Sequence, residues 1–381
     1  MSQSLTPARV TAPGTIIKQE LEARGWTQND LAEIMGRPTQ AISEIIRGAK
    51  QITPETALEL AAAFDTSPQL WTNLEANYRL YLARKKEEEN KGQDGKKIAR
   101  KSLLYNLAPV AELGKRSWIR VTDSLDELEK EVCKFMVITS PKESPQMRAS
   151  FRQTKERGPE LNSQIAWLRR VEQLARMQKV AGFNLEKLKS AIPEILALAG
   201  KLEDIVKIPL KLLKLGIHFV VVRHLPKTFI DGATFFLEQN PVIAITLRYD
   251  RIDAFWFTLM HELAHLILGH QEHLDNLYDG QEELEELDDQ HKEEENAANE
   301  QARNWLLESA AFTRFVEETQ PYFSEAKIVR FAENQGRHPG IVIGQLQYEK
   351  HISYNHLRKM LVKVSPLLNE WIDGIEYIKA G

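Results

Sequence analysis

Residues Phe255 to His270 read Phe-Trp-Phe-Thr-Leu-Met-His-Glu-Leu-Ala-His-Leu-Ile-Leu-Gly-His, an apolar run that holds a His-Glu-x-x-His spacing at His261, Glu262 and His265. Length and the lack of any breaker before Gly269 predict a helix. Leu259, Met260, Leu263, Leu266 and Ile267 surround the polar residues and bury that helix in a core. Four residues make about one helical turn, so both imidazoles stand on one face and can share one Zn2+, with Glu262 leaning beside them toward a metal-bound water. A site with an open position needs a third protein ligand. His270 lies five residues beyond His265 and off that face, and position 271 holds Gln271. Downstream, a second helical pattern places Glu295, Asn299, Ala302 and Leu306 on one inner face, which makes Glu295 the best carboxylate ligand and leaves Glu294 as the alternative.

Composition narrows the donor types further. A single cysteine, Cys133, excludes an intrachain disulfide framework and a cysteine-rich metal cluster. With 381 residues, two or three domains are expected, and 43% hydrophobic against 27% charged residues excludes wholesale disorder. No stretch approaches eighteen uninterrupted apolar residues and the first residues lack a secretory pattern, so a cytoplasmic chain without a membrane span is expected. A formal charge of -4 argues against indiscriminate coating of nucleic acid.

Ahead of the apolar helix the periodicity is helical, then strand-like. In residues 1–80, Gly25, Thr27, Gly36 and Pro38 punctuate short helices with Ile16, Ile17, Leu21, Leu31, Ala32, Met35, Ala41, Ile42 and Ile45 inward, a helix-turn-helix pattern. Its second helix would show Thr39, Gln40, Ser43 and Glu44 to base edges, with Arg37 and Arg47 able to meet phosphates. Seven Lys/Arg against nine Asp/Glu in this stretch predict modest nonspecific affinity and a need for dimeric binding. Residues 81–104 read as a charged linker breaking at Gly92 and Gly95. Residues 105–204 read as a helical middle region, with amphipathic stripes in Leu161 to Met177 and Leu185 to Ala199.

Residues 205–381 make the last domain. Runs at Ile217 to Arg223, Ala233 to Glu238 and Pro241 to Arg248 predict a small sheet, and the strand at Val242 to Thr246 is expected to align an extended peptide by strand addition. Given His261, His265 and Glu295 on zinc, Glu262 would serve as general base in peptide-bond hydrolysis. Tyr249, His338, His351 and Tyr354 all stand as candidates for assisting at the oxyanion. The acidic run from Glu272 to Glu295 reads as a solvated loop.

Two resemblances sharpen these expectations. Ala32-Glu-Ile-Met-Gly-Arg-Pro-Thr-Gln-Ala-Ile-Ser-Glu-Ile-Ile-Arg-Gly, with Ile52-Thr-Pro-Glu-Thr-Ala-Leu-Glu-Leu-Ala and Trp71-Thr-Asn-Leu-Glu-Ala-Asn-Tyr, resembles the Xre-type helix-turn-helix of HigA-like antitoxins. That resemblance implies dimeric binding to operator DNA and repression of the protein's own operon. Phe257 to His265, Glu295-Asn-Ala-Ala-Asn-Glu-Gln-Ala and His338-Pro-Gly-Ile-Val-Ile-Gly-Gln-Leu-Gln resemble the ImmA/IrrE metallopeptidases. It implies a zincin-like fold, places the third zinc ligand on Glu295 rather than Glu294, and suggests cleavage of helix-turn-helix repressors. Gln345 stands where many members carry Arg, and Gln301 where an aromatic is usual. The expected molecule is thus α+β: a helical DNA-reading domain, a helical middle region, and a peptidase domain with a small sheet. Its substrate would be a repressor, a co-encoded toxin or antitoxin partner, or the chain itself. The alternative is an autorepressor whose metal domain is structural or sensory.

Overall fold

In the computed structural model, which describes residues 10–89, 93–143, 145, 159–270, 273–275 and 289–373, the chain divides between Lys101 and Ser102 into two units. The fold is α+β. No helix among the described residues is long and apolar enough to cross a membrane.

The first unit holds α1 (Pro13–Arg24), α2 (Gln28–Ile34), α3 (Thr39–Ile46), α4 (Pro54–Phe64) and α5 (Pro68–Glu89). Gly25 stops α1 in the left-handed conformation, and a capping box between Thr27 and Asp30 starts α2. Thr27 donates to the Asp30 carboxylate from both backbone and hydroxyl, which holds that carboxyl below its ordinary range. Ile17, Leu21, Leu31, Ile42, Ile45, Leu60, Phe64 and Trp71 form the core, each fully buried side chain adding about 1.5–3 kcal/mol. Trp71 donates its indole N–H to Thr66 Oγ1 at 2.8 Å, so the ring is buried without an orphaned donor. At the α1/α3 crossing, a Cβ on Gly14 would lie 2.0 Å from the Ile46 carbonyl oxygen, so only glycine permits that approach. Ala41 and Met35, expected inside, are only partly buried, and Ile46 takes the inward place.

The charged stretch differs from its expected form. α5 runs on to Glu89, and α6 (Gln93–Leu107) contains Gly95 in its first turn, so the chain is helical on both sides of residues 90–92, and Gly92 lies outside the described residues.

The second unit is built on a four-stranded sheet, β1 (His218–Val221), β2 (Gly232–Leu237), β3 (Asn240–Ile245) and β4 (His273–Asp275), in the order β1-β3-β2-β4. β1 runs parallel to β3, and β2 is antiparallel to both β3 and β4. Helices α7 (Val110–Lys115), α8 (Leu125–Met136), α9 (Pro159–Met177), α10 (Leu185–Ala197) and α11 (Ile208–Lys214) precede the sheet. After β3 come α12 (Ile252–Leu268), α13 (Asp289–Leu306), α14 (Ser309–Thr319), α15 (Glu325–Asn334) and α16 (Pro339–Tyr348).

Alternation along the strands separates two cores. Val220, Ala233, Phe235, Val242 and Ala244 pack with Leu113, Val132, Trp167 and Val171 of α7 to α9. Phe219, Val221, Ile243 and Ile245 face the other way, against α10, α11, α12 and the helices after it. The boundary expected at 204/205 therefore falls inside a core: Leu188, Ile192 and Ile195 belong to the same buried cluster as Trp256 and Leu259, and the middle helices cover the sheet's second face. Strand addition at Val242 to Thr246 is corrected too, because β3 is hydrogen-bonded on both sides and has no edge to offer.

Candidate metal centre and nucleic-acid interface

The apolar run folds as α12, with Gly269 as its left-handed C-cap. His261, Glu262 and His265 are all 0% exposed. The Nε2 atoms of His261 and His265 lie 2.8 Å apart, with the rings at 76°. From α13, Glu295 sets Oε2 3.4 Å from His261 Nε2 and Oε1 3.6 Å from His265 Nε2. Two imidazole nitrogens and the two oxygens of one carboxylate thus lie 2.8 to 3.6 Å apart, bracketing the roughly 3.3 Å between ligands of a tetrahedral ion with bonds near 2.0–2.1 Å. The donor set fits a borderline-soft divalent cation such as zinc. Glu295 is the most exposed of the three, its side chain 12% accessible.

Two residues on β2 that the sequence did not single out shape the place of Glu262. Thr234 Oγ1 donates to Glu262 Oε2 at 2.6 Å, with both side chains fully buried. At Gly232, on the same strand face, a Cβ would fall 1.9 Å from Glu262 Oε1. The carboxylate therefore occupies the volume that glycine vacates. An isolated glycine at a strand start signals such close approach, although nothing local says what approaches.

His270, excluded as a ligand on spacing, sits with Nδ1 2.9 Å from His265 Nδ1. A ring bound through one nitrogen ordinarily gives its other N–H to a neighbour, which fixes tautomer and orientation; His270 is placed to accept it. Of the four oxyanion candidates, His338 accepts the Gly340 N–H at 3.0 Å and caps α16, with burial pushing its pKa down. His351 lies 3.1 Å from both Gln320 and Glu349. Tyr249 and Tyr354 line a cavity of about 310 Å³ between α12, α13 and α16. Glu272 and residues 276–288 of the acidic run lie outside the described residues.

In the first unit α2, the turn at Gly36 and α3 make a helix-turn-helix. Thr39 and Gln40 are exposed, and Ser43 and Glu44 are half-buried. The Gln40 amide donates to Glu44 Oε1 at 3.0 Å, and the exposed Arg47 donates to the Ser43 carbonyl. Arg37 differs from the cation expected: it binds both oxygens of Glu59 on α4, with Nη2 to Oε1 at 3.1 Å. Its guanidinium already has a carboxylate partner.

Comparison with known proteins places both units. Residues 17–71 match the helix-turn-helix family and residues 250–344 match the family described as Peptidase U49. An uncharacterized HTH-type transcriptional regulator of Haemophilus influenzae is 36% identical over 72 residues, 19% of this chain and 67% of that protein. Antitoxin HigA-1 of Vibrio cholerae is 34% identical over 85 residues, 22% of this chain and 80% of its own. Among solved structures, an addiction module antidote protein of the HigA family from Coxiella burnetii is 36% identical, over 22% of this chain and 94% of that one, with a TM-score of 0.21. By its N-terminal unit the chain belongs to the helix-turn-helix family that includes HigA-like antitoxins, and its second unit carries a Peptidase U49 domain.

Proposed function

We propose that this chain is a DNA-binding regulator whose second unit is a zinc-dependent endopeptidase of the ImmA/IrrE kind. The observation that carries the proposal is the convergence of His261, His265 and Glu295 beside a buried carboxylate, Glu262, that is not needed to complete the donor set. Zinc held there supplies a Lewis acid that polarises a scissile carbonyl and lowers the pKa of a water. The chain's own residues do the rest. Glu262, fixed by Thr234, takes the proton of the attacking water and delivers it to the leaving amine. His270 orients the ring of His265.

In the first unit, α3 enters the major groove of operator DNA as part of a homodimer, with Thr39, Gln40, Ser43 and Glu44 toward bases and Arg47 toward phosphate. Arg37 is a weaker candidate, since Glu59 already neutralises it. The substrate is a protein partner: a helix-turn-helix repressor, a co-encoded toxin or antitoxin, or a second copy of the chain. One observation favours the reading as a structural or sensory metal site, namely the complete burial of His261, Glu262 and His265.

Incubation with the neighbouring gene products, followed by mass-spectrometric cleavage mapping with and without chelator, separates the two. Glu262→Gln is expected to keep its zinc and to lose cleavage by a hundredfold or more, within the roughly 10²–10⁴ range of general acid–base catalysis. Undiminished turnover in that variant would remove Glu262 from the mechanism. Zinc binding without cleavage of any partner would favour the sensory reading.

A further inference from the structure

The cavity between α12, α13 and α16 holds a cation whose hydrogen-bonding capacity the described residues leave unused. Arg303, on α13, sets its guanidinium carbon 4.4 Å from the ring centre of Tyr348 and 5.9 Å from that of Phe257. Its Nε is buried and has no hydrogen-bond partner among the described residues. Nor does any carboxylate among them form an ion pair with it. Two neighbouring arginines of this unit, Arg251 and Arg337, are engaged. Arg251, in the same cavity, grips the Asp253 carboxylate at two points, one at 3.0 Å. Arg337 spends its guanidinium on the carbonyls of Leu196, Trp305 and Leu306. A guanidinium carries five donors in a planar fork suited to a carboxylate, and buried donors are rarely left without acceptors. Aromatic faces hold the fork by cation–π attraction while leaving its edge available.

The cavity adjoins the metal centre. Phe257 stands one turn before His261, with ring centres 6.2 Å apart. Arg303 follows Glu295 by eight residues of one helix, a rise of about 12 Å. An extended peptide advances about 3.3 Å per residue, so that rise corresponds to three or four residues of bound chain.

We propose that this cavity is a carboxylate-recognition pocket in which Arg303 binds an acidic group of the polypeptide, three to four residues from the bond cut at the metal centre. The pocket rests on the peptidase reading for its polypeptide occupant. The acidic group is either an Asp or Glu side chain or a chain-terminal carboxylate; both present the same planar pair of oxygens.

The test uses the full chain carrying Glu262→Gln, loaded with zinc, so that bound peptides are not consumed. Fluorescein-labelled octapeptides of Ala, Leu and Gln are compared by anisotropy in three forms: one Glu scanned through the positions with an amidated C-terminus, an all-neutral amide, and the neutral sequence with a free C-terminal carboxylate. One of the carboxylate forms is expected to bind at least tenfold tighter than the neutral amide, and which one does so identifies the source. Arg303→Gln should erase that preference, and Arg303→Lys should restore part of it by keeping charge without the fork. Equal binding of all three peptides, or a preference that survives Arg303→Gln, would overturn the pocket. Preference without cleavage by the unmutated chain would reject the hydrolase and keep the pocket; cleavage without preference would reject the pocket alone.

Discussion

At the scale of single residues, Glu262 is held by what lies opposite it on β2. Thr234 supplies one hydrogen bond at 2.6 Å, and Gly232 supplies room by having no side chain. Gly232→Ala must push a methyl group into the carboxylate or move the strand, so cleavage is expected to fall tenfold or more with zinc content unchanged. Thr234→Val leaves a buried carboxylate oxygen without its donor, a loss of about 1–3 kcal/mol, and should lower cleavage in the same sense. Turnover of the mapped partner alongside metal content by atomic absorption checks both; activity equal to the parent in Gly232→Ala would show that the carboxylate position is not critical. The His-Glu-x-x-His spacing was legible in the sequence because its geometry is that of one helical turn. Gly232 and Thr234 were not, because they meet Glu262 only through packing of a strand 28 residues away from it, as Thr234 shows.

At the scale of elements, what could be read was what is local. The helical stripe from Leu161 to Met177 falls within α9, and Leu185 opens α10 as expected. Strand order was hidden, because pairing is decided between segments; yet in β3 all residues after the first are buried, as befits a strand covered on both faces. His338 shows how an element's end can titrate. Its neutral ring caps α16, and burial, outweighing the opposing charge of Glu203, holds its pKa below the ordinary imidazole range. The unfolded chain therefore takes up this proton at a higher pH than the folded chain, and stability falls as pH drops from about 6.5 towards the lowered folded value. His218, buried on β1 and shifted the same way by burial, adds to that slope. Melting temperatures across that interval should decline in the parent and decline less steeply in His338→Asn, which retains a capping acceptor but no titrating group. Parallel curves would show that the cap does not titrate as described.

On the scale of the whole molecule, separate cores imply separate stabilities. The first unit closes its own core around Trp71 and Phe64, while the cores of the second are joined through the sheet. A ligand stabilises only the structure that binds it, by about 4 kcal/mol at a thousandfold excess over its dissociation constant. Calorimetry of the zinc-loaded chain is thus expected to resolve two transitions, and chelation should lower one of them by several degrees while the other stays in place. Glu295→Ala, which removes the proposed third ligand, a carboxylate 3.4 Å from His261 Nε2, should reproduce the chelated trace with lowered zinc occupancy. Neither treatment should change operator affinity at fixed salt, because Thr39, Gln40, Ser43 and Arg47 are positioned by the α1-to-α5 core alone. A single transition that moves as a whole on chelation, or operator affinity that falls with the metal, would mean that the DNA-reading unit depends on the metal-bound state.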